Sequence, residues 1–167
     1  MKFLLLRHAE SLSKQAARAR FDADRPLSTR GREHAKRVGQ MLGPLGCLPH
    51  PIVCSPFVRT QETAAIVNQQ LPAPVPLLPL TILAPGSGSD ELLRAALNHA
   101  DATNRWLLAV LHEPDLSLIL GTWLYGGASY PFPVLEGDLF VVRIQFARGQ
   151  ARGELLAYYS PQQLAKD

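Results

Sequence analysis

The chain has 167 residues, 47% of them hydrophobic and 19% charged, with a net charge of +3 and a pI of about 9.1. That balance fits a single globular domain over residues 1–167 and excludes a disordered chain. No apolar run reaches the roughly 18 residues that a membrane span needs, so no membrane is expected as a partner; no nucleic acid is expected either.

Lys2 to Arg7 is a short, continuous apolar run and reads as a buried strand. It stops at Arg7-His8, too soon for a secretory leader, which makes the cytoplasm the expected compartment. Pro26 to Gly46 reads as a loop and then a helix, with Ser28 at its N-cap and Ala35, Val38, Leu42 and Leu45 on one face. Ile52 to Cys54 is a second short strand. Ser55-Pro56 is expected to open the next helix, with Ser at the N-cap and Pro in the first turn. Thr63, Ala64, Val67 and Leu71 then line its inner face. Cys47 and Cys54 match no metal-ligand or redox spacing and read as buried free thiols.

The proline- and glycine-rich stretch from Pro72 to Gly88 is expected to hold a short strand near Pro76 to Leu78. Asp90 to Ala102 reads as a helix and Trp106 to Leu111 as another buried strand. After His112-Glu113-Pro114, Leu116, Ile119, Leu120, Trp123 and Leu124 recur at helical spacing, and Gly126-Gly127 ends that helix. Asp138 to Phe146 and Gly153 to Tyr159 read as a closing hairpin around Arg148-Gly149-Gln150. The alternation predicts a three-layer α/β/α fold with a mostly parallel sheet and one antiparallel strand. Arg18, Arg20, Arg25, Arg30, Arg32, Lys36 and Arg37 crowd one stretch. They form a solvated face or a dock for an acidic partner.

Arg7-His8, Arg59 and His112 each come at or just beyond the carboxyl end of a predicted strand, the edge where open α/β sheets bind ligands. Two guanidiniums there offer planar forks for phosphate oxygens. Neighbouring positive charge disfavours imidazolium, leaving a nitrogen lone pair at neutral pH. One histidine can then attack phosphorus in line while the other donates to a phosphoryl oxygen, and the arginines stabilise the developing charge. Arginine and histidine supply the positive charge, so neither a metal nor a cofactor is expected.

The segments Leu5-Leu6-Arg7-His8-Ala9-Glu10, Arg25-Pro26-Leu27-Ser28-Thr29-Arg30-Gly31, Ser55-Pro56-Phe57-Val58-Arg59-Thr60-Gln61-Glu62-Thr63 and Leu111-His112-Glu113-Pro114-Asp115-Leu116 resemble, in order, those of the histidine phosphatase superfamily with its phosphoglycerate-mutase-like fold. The short length and Arg-Pro-Leu-Ser most resemble its phosphohistidine phosphatases. The resemblance implies that His8 is the phosphorylated nucleophile and that Arg7, Arg59 and His112 hold the phosphoryl group. It also implies a substrate that is a phosphorylated protein of the histidine phosphotransfer type or a small phosphate ester.

Many members of that superfamily carry a glutamate soon after the third strand that protonates the leaving alkoxide. Here Leu77 to Pro85 holds no carboxylate, which favours phosphohistidine, whose imidazole leaving group can take its proton from solvent. Asp90, Glu91, Glu113 and Asp115 are the stand-ins, although Asp90, Glu91 and Asp115 also suit helix first turns.

Other chemistries fit less well. Cys54 and Arg59 are one residue too close for a cysteine phosphatase. No two histidines fall within five residues of each other, as a zinc site would favour. His34 and His99 sit on predicted helices as surface residues, and His50 lies in a loop. A mutase would need long insertions for which the chain has little room. A non-catalytic phosphate-binding module would need only the arginines, and a small-molecule phosphomonoesterase is the nearer alternative.

Overall fold

The computed structural model describes residues 1–99, 106–127, 133–147 and 150–162. In chain order its elements are β1 (Lys2–Arg7), a short 3₁₀ turn (Asp22–Asp24), α1 (Thr29–Leu42), β2 (Pro49–Cys54), α2 (Val58–Gln69), β3 (Leu77–Pro79), a second 3₁₀ turn (Thr81–Leu83), α3 (Ser89–His99), β4 (Trp106–Leu111), α4 (Asp115–Tyr125), β5 (Leu139–Ala147) and β6 (Gln150–Tyr159).

Phe3 to Leu6 are all fully buried, which a strand achieves only when both of its faces are covered. Phe3 and Leu5 face one layer, with Leu92 and Ala96 of α3 and Leu116, Ile119, Leu120 and Trp123 of α4. Leu4 and Leu6 face the other, with Val38 and Leu42 of α1 and Ala64 and Val67 of α2. The strand's period of two thus builds a three-layer α/β/α arrangement. The six-stranded sheet runs β3-β2-β4-β1-β5-β6. Neighbours among β1 to β4 are parallel, while β5 runs antiparallel to both β1 and β6. One strand therefore opposes the rest, as the alternating sequence implies. No helix among the described residues is long and apolar enough to cross a membrane.

β1 and β4 have the bounds read from the sequence, and the Ser28 hydroxyl caps α1 by accepting the Gly31 N–H at 3.0 Å. Several expectations need correction. Leu71, expected on the inner face of the helix after β2, lies beyond α2, which ends at Gln69. Leu45 lies beyond α1 and is exposed, because the helix ends at Leu42. β2 starts at Pro49, with its register shifting between Pro49 and Ile52. Prolines at a strand's start or at an irregularity cost no ladder hydrogen bond. His50 therefore lies in a strand. Finally, α2 begins at Val58 with Phe57 at its N-cap, not at Ser55; the Ser55 hydroxyl accepts the Phe57 N–H at 3.4 Å, ahead of the helix. The far end of the helix expected to reach Ala102 and the Arg148-Gly149 link of the hairpin lie outside the described residues.

Gly31 locks α1 to the segment after β1. Ser28 N–H donates to the Glu10 carbonyl at 2.9 Å and the Ser28 hydroxyl donates to the Glu10 carboxylate at 2.6 Å. A Cβ on Gly31 would run into the Glu10 carbonyl oxygen. Gly31→Ala is therefore expected to cost about 1–3 kcal/mol of stability, read as a lower Tm. An unchanged Tm would mean that Glu10 and α1 can separate freely.

Candidate active site

β2, β4 and β1 are parallel neighbours, so their carboxyl ends lie side by side. α1 and α2 cover one face of the sheet and α4 the other, and the edge between these layers is where open α/β sheets bind ligands. The strand hydrogen bonding continues into it. His8 N–H donates to the Leu111 carbonyl at 3.0 Å and Ser55 N–H to the Val110 carbonyl at 3.2 Å. The residues just after the three strands are thus held in register.

Arg59, in the first turn of α2, joins them. Its Nε donates to His8 Nε2 at 3.2 Å, its Nη2 to His112 Nδ1 at 3.3 Å and its Nη1 to the Asp22 carbonyl at 2.9 Å. A guanidinium has no acceptor, so both ring nitrogens must offer lone pairs to it. The first turn of α2 is fixed from behind: Thr63 accepts the Ala9 N–H at 3.1 Å and donates to the Arg59 carbonyl at 2.7 Å. The ring of Phe57 lies 4.9 Å from the Arg59 guanidinium and 5.1 Å from the His112 ring. Arg7, at the end of β1, donates through Nη1 to the Val134 carbonyl at 2.6 Å.

His8 Nδ1–H donates to the Ala9 carbonyl at 2.8 Å. With Nδ1 carrying the hydrogen, Nε2 keeps its lone pair toward Arg59. Burial, and then the positive charge of His112, Arg59 and Arg7, pushes the His8 pKa down to about 3 against the smaller opposing effect of the Ala9 bond. Burial and the charges of Arg59 and Arg7 bring His112 down to about 4, with Asp22 acting in the other direction. Both imidazoles are therefore neutral at pH 7. The structure brings His8, Arg59 and His112 together as a contact set, with Arg7 close enough for its charge to act on both rings.

Two further residues meet this set, and sequence reasoning gave neither of them this place. Ser55 is fully buried, with its Oγ 2.8 Å from His112 Nε2. Asp22, in the turn between β1 and α1, has Oδ2 3.0 Å from Arg59 Nη2. Its carboxyl is held below the usual carboxylate range first by the Arg25 hydrogen bond and then by Arg59. Nothing in the local sequence marks Asp22. The only signal is topological, since a loop leaving β1 for α1 starts at the binding edge.

The carboxylates considered as stand-in acids serve elsewhere. Asp90 is exposed in the first turn of α3, and Glu91 accepts the Gly88 N–H at 2.9 Å. Asp115 accepts the Gly86 N–H at 2.9 Å, and Glu113 accepts from the Ser117 hydroxyl at 2.6 Å. Cys54 is buried at the end of β2, where burial pushes its thiol up to about 12, so it offers no thiolate. His34, expected at the surface, is buried on α1, while His99 is exposed on α3. In the basic stretch, Arg25 pairs with Asp22, Arg30 with Glu10, Arg32 with Glu62 and Arg37 with Glu33.

The model of the histidine phosphatase superfamily (branch 1) matches residues 3–80. An uncharacterized protein of Picosynechococcus sp. is 30% identical over 145 residues, 86% of this chain and 87% of that protein. Among solved structures, the protein histidine phosphatase SixA complexed with tungstate superposes with a TM-score of 0.80 at 22% identity, covering 98% of this chain and 99% of that one. The alpha-ribazole phosphatase from Shigella flexneri superposes with a TM-score of 0.67 at 21% identity, covering 93% and 96%. At these identities the two superpositions establish the fold. By the match of its residues 3–80 to the family model, the chain belongs to the histidine phosphatase superfamily, which supports a phosphatase activity for it.

Proposed function

We propose that the chain is a cytoplasmic phosphatase that works without a metal, through a phosphohistidine on His8, and that its substrate is phosphohistidine on a signalling protein. The observation that carries this reading is the single guanidinium, Arg59, donating to both His8 Nε2 and His112 Nδ1. A phosphoryl group seated against Arg59 lies within reach of the lone pair that must attack it. His8 Nε2 forms the new N–P bond as the bond to the leaving group breaks. Arg7, Arg59 and His112 take up charge on the equatorial oxygens. Water then attacks phosphorus, the bond to Nε2 breaks and His8 regains its lone pair. The neutral state of His8 at pH 7 supports its part as nucleophile. SixA, named as a protein histidine phosphatase, supports the choice of substrate by analogy of fold.

The substrate reading follows from the leaving group. Asp90, Glu91, Glu113 and Asp115 are exposed or engaged at helix starts, so none of them is free to serve a departing alkoxide, whereas a departing imidazole can take its proton from solvent on its free ring nitrogen. Phosphohistidine is therefore expected to turn over faster than alkyl phosphates, and nitrophenyl phosphate to outpace glycerol phosphate by orders of magnitude. If the basic stretch docks the protein substrate, that rate alone falls as salt rises. The test is kcat/KM across aryl esters, alkyl esters and a phosphorylated histidine domain.

One observation favours the second reading, a small-molecule phosphomonoesterase. The Asp22 carboxylate touches Arg59, and a phosphoryl dianion arriving there would drive it either to leave or to take up a proton. A protonated Asp22 would be the missing acid. A rate nearly independent of leaving-group basicity, lost selectively for alkyl esters in Asp22→Asn, would establish this reading over the first.

A further inference from the structure

We infer that Ser55 is a positioning residue whose hydroxyl accepts the Nε2–H of His112 and holds the ring so that Nδ1 is the atom offered to the phosphoryl group. The kinetic part of this inference rests on the phosphatase reading; the tautomer does not.

The hydrogen bonding allows one assignment. Arg59 can only donate, so His112 Nδ1 is unprotonated in the free protein. A neutral imidazole then carries its hydrogen on Nε2, and the atom 2.8 Å from Nε2 is Ser55 Oγ. Ser55 is fully buried and cannot swing away. Its N–H donates to the Val110 carbonyl at 3.2 Å, and its carbonyl accepts the Thr60 hydroxyl at 2.8 Å. The side chain does not cap α2, which begins at Val58 without a side-chain cap. The hydroxyl also accepts the N–H of Phe57, the residue before α2, at a longer 3.4 Å; its short contact is the one to the histidine.

This arrangement matters once an anion arrives. A phosphoryl oxygen facing Nδ1 meets a lone pair unless His112 takes up a proton. The imidazolium then donates at both nitrogens, from Nδ1 to the phosphoryl oxygen and from Nε2 to Ser55 Oγ. An acceptor behind the ring favours that charged form. The groups that face His112 are Arg59 on α2, Arg7 and His8 after β1, and Asp22 from the loop. Arg59 and Arg7 oppose its protonation, while Asp22 and the incoming phosphate favour it. Ser55 holds the proton on the far nitrogen through the whole change.

Long-range proton–nitrogen NMR of the unmodified chain, with His112 assigned through His112→Gln, reads the tautomer directly. The expected result is a protonated Nε2 and a bare Nδ1; a protonated Nδ1 would overturn the inference, whatever any variant does. In Ser55→Ala, Arg59 still keeps Nδ1 bare but the Nε2–H loses its acceptor, and kcat on nitrophenyl phosphate should fall roughly ten- to hundredfold, the effect of losing a hydrogen bond to a charged group. The alkaline limb of the kcat profile should move to lower pH, because the imidazolium has lost an acceptor. Ser55→Thr, which keeps the hydroxyl, should restore the pH profile and most of the rate. An unchanged rate and pH profile in Ser55→Ala would reduce Ser55 to packing. Inactivity of the unmodified chain on every phosphorylated compound would strike the phosphatase reading alone, since the NMR measurement needs no turnover.

Discussion

His8→Ala is expected to abolish turnover, by on the order of 10⁴-fold or more, while the chain stays folded. The side chain is buried, yet it belongs to none of the hydrophobic clusters that hold the sheet to its helices. Its polar contacts are the neighbouring Ala9 carbonyl and Arg59. Removing it deletes the attacking lone pair and leaves the core intact. Acid-labile radiolabel trapped on the protein during turnover should vanish with it. Label that persisted in His8→Ala would make another residue the acceptor, His112 first. The same variant has a stability signature. His8 titrates at about 3 in the folded chain, against an ordinary value of 6.5. Between those two values the unfolded chain binds a proton that the folded chain does not. The unmodified chain thus loses stability as pH falls through 6.5, and the loss is complete below 3. His8→Ala lacks that term, so its Tm relative to the unmodified chain should rise on going from pH 7 to pH 4.

The site was legible where the chemistry sits on strand ends. β1 and β4 are apolar runs buried on both faces, and such runs announce themselves in sequence. Once they are placed, His8 and His112 must share the sheet's carboxyl edge. Ser28 is legible for a different reason, because a hydroxyl just ahead of an amphipathic run has a local partner in the backbone. Ser55 looked like a second case of the same pattern. Its hydroxyl instead bonds a histidine far along the chain, a contact that exists only after β2 and β4 have paired. Asp22 was silent for the same reason: its partner Arg59 comes to it through the packing of α2, not through spacing in the loop. His34 misled because a polar side chain on a helix is usually solvated, and burial against other elements is invisible to a helical pattern. Local order was readable in this chain, and of the contacts between distant segments only those that follow from strand ends sharing one edge were.

Arg59→Ala is expected to lower turnover and phosphate affinity together, by about a hundredfold or more. Removing one donor aimed at a developing anion costs on the order of 3 kcal/mol. Arg59 supplies more than one donor, since Nε, Nη2 and Nη1 reach His8, His112 and the Asp22 carbonyl separately. Its loss therefore frees both imidazoles from their shared orientation as well as removing charge. It also removes part of what depresses both histidines, so the acid limb of the pH–rate profile should move to higher pH. Arg59→Lys tests whether charge alone suffices. An ammonium is a compact point charge and cannot place donors at three separated acceptors as the planar fork does. The lysine variant should thus stay within about tenfold of the alanine variant, because the fork's geometry is missing. Recovery of near-full activity with lysine would mean that Arg59 acts as a simple counter-charge. Unchanged phosphate binding in Arg59→Ala, measured by titration with inorganic phosphate, would place the phosphoryl group away from the guanidinium and undo the assignment of this sheet edge as its seat.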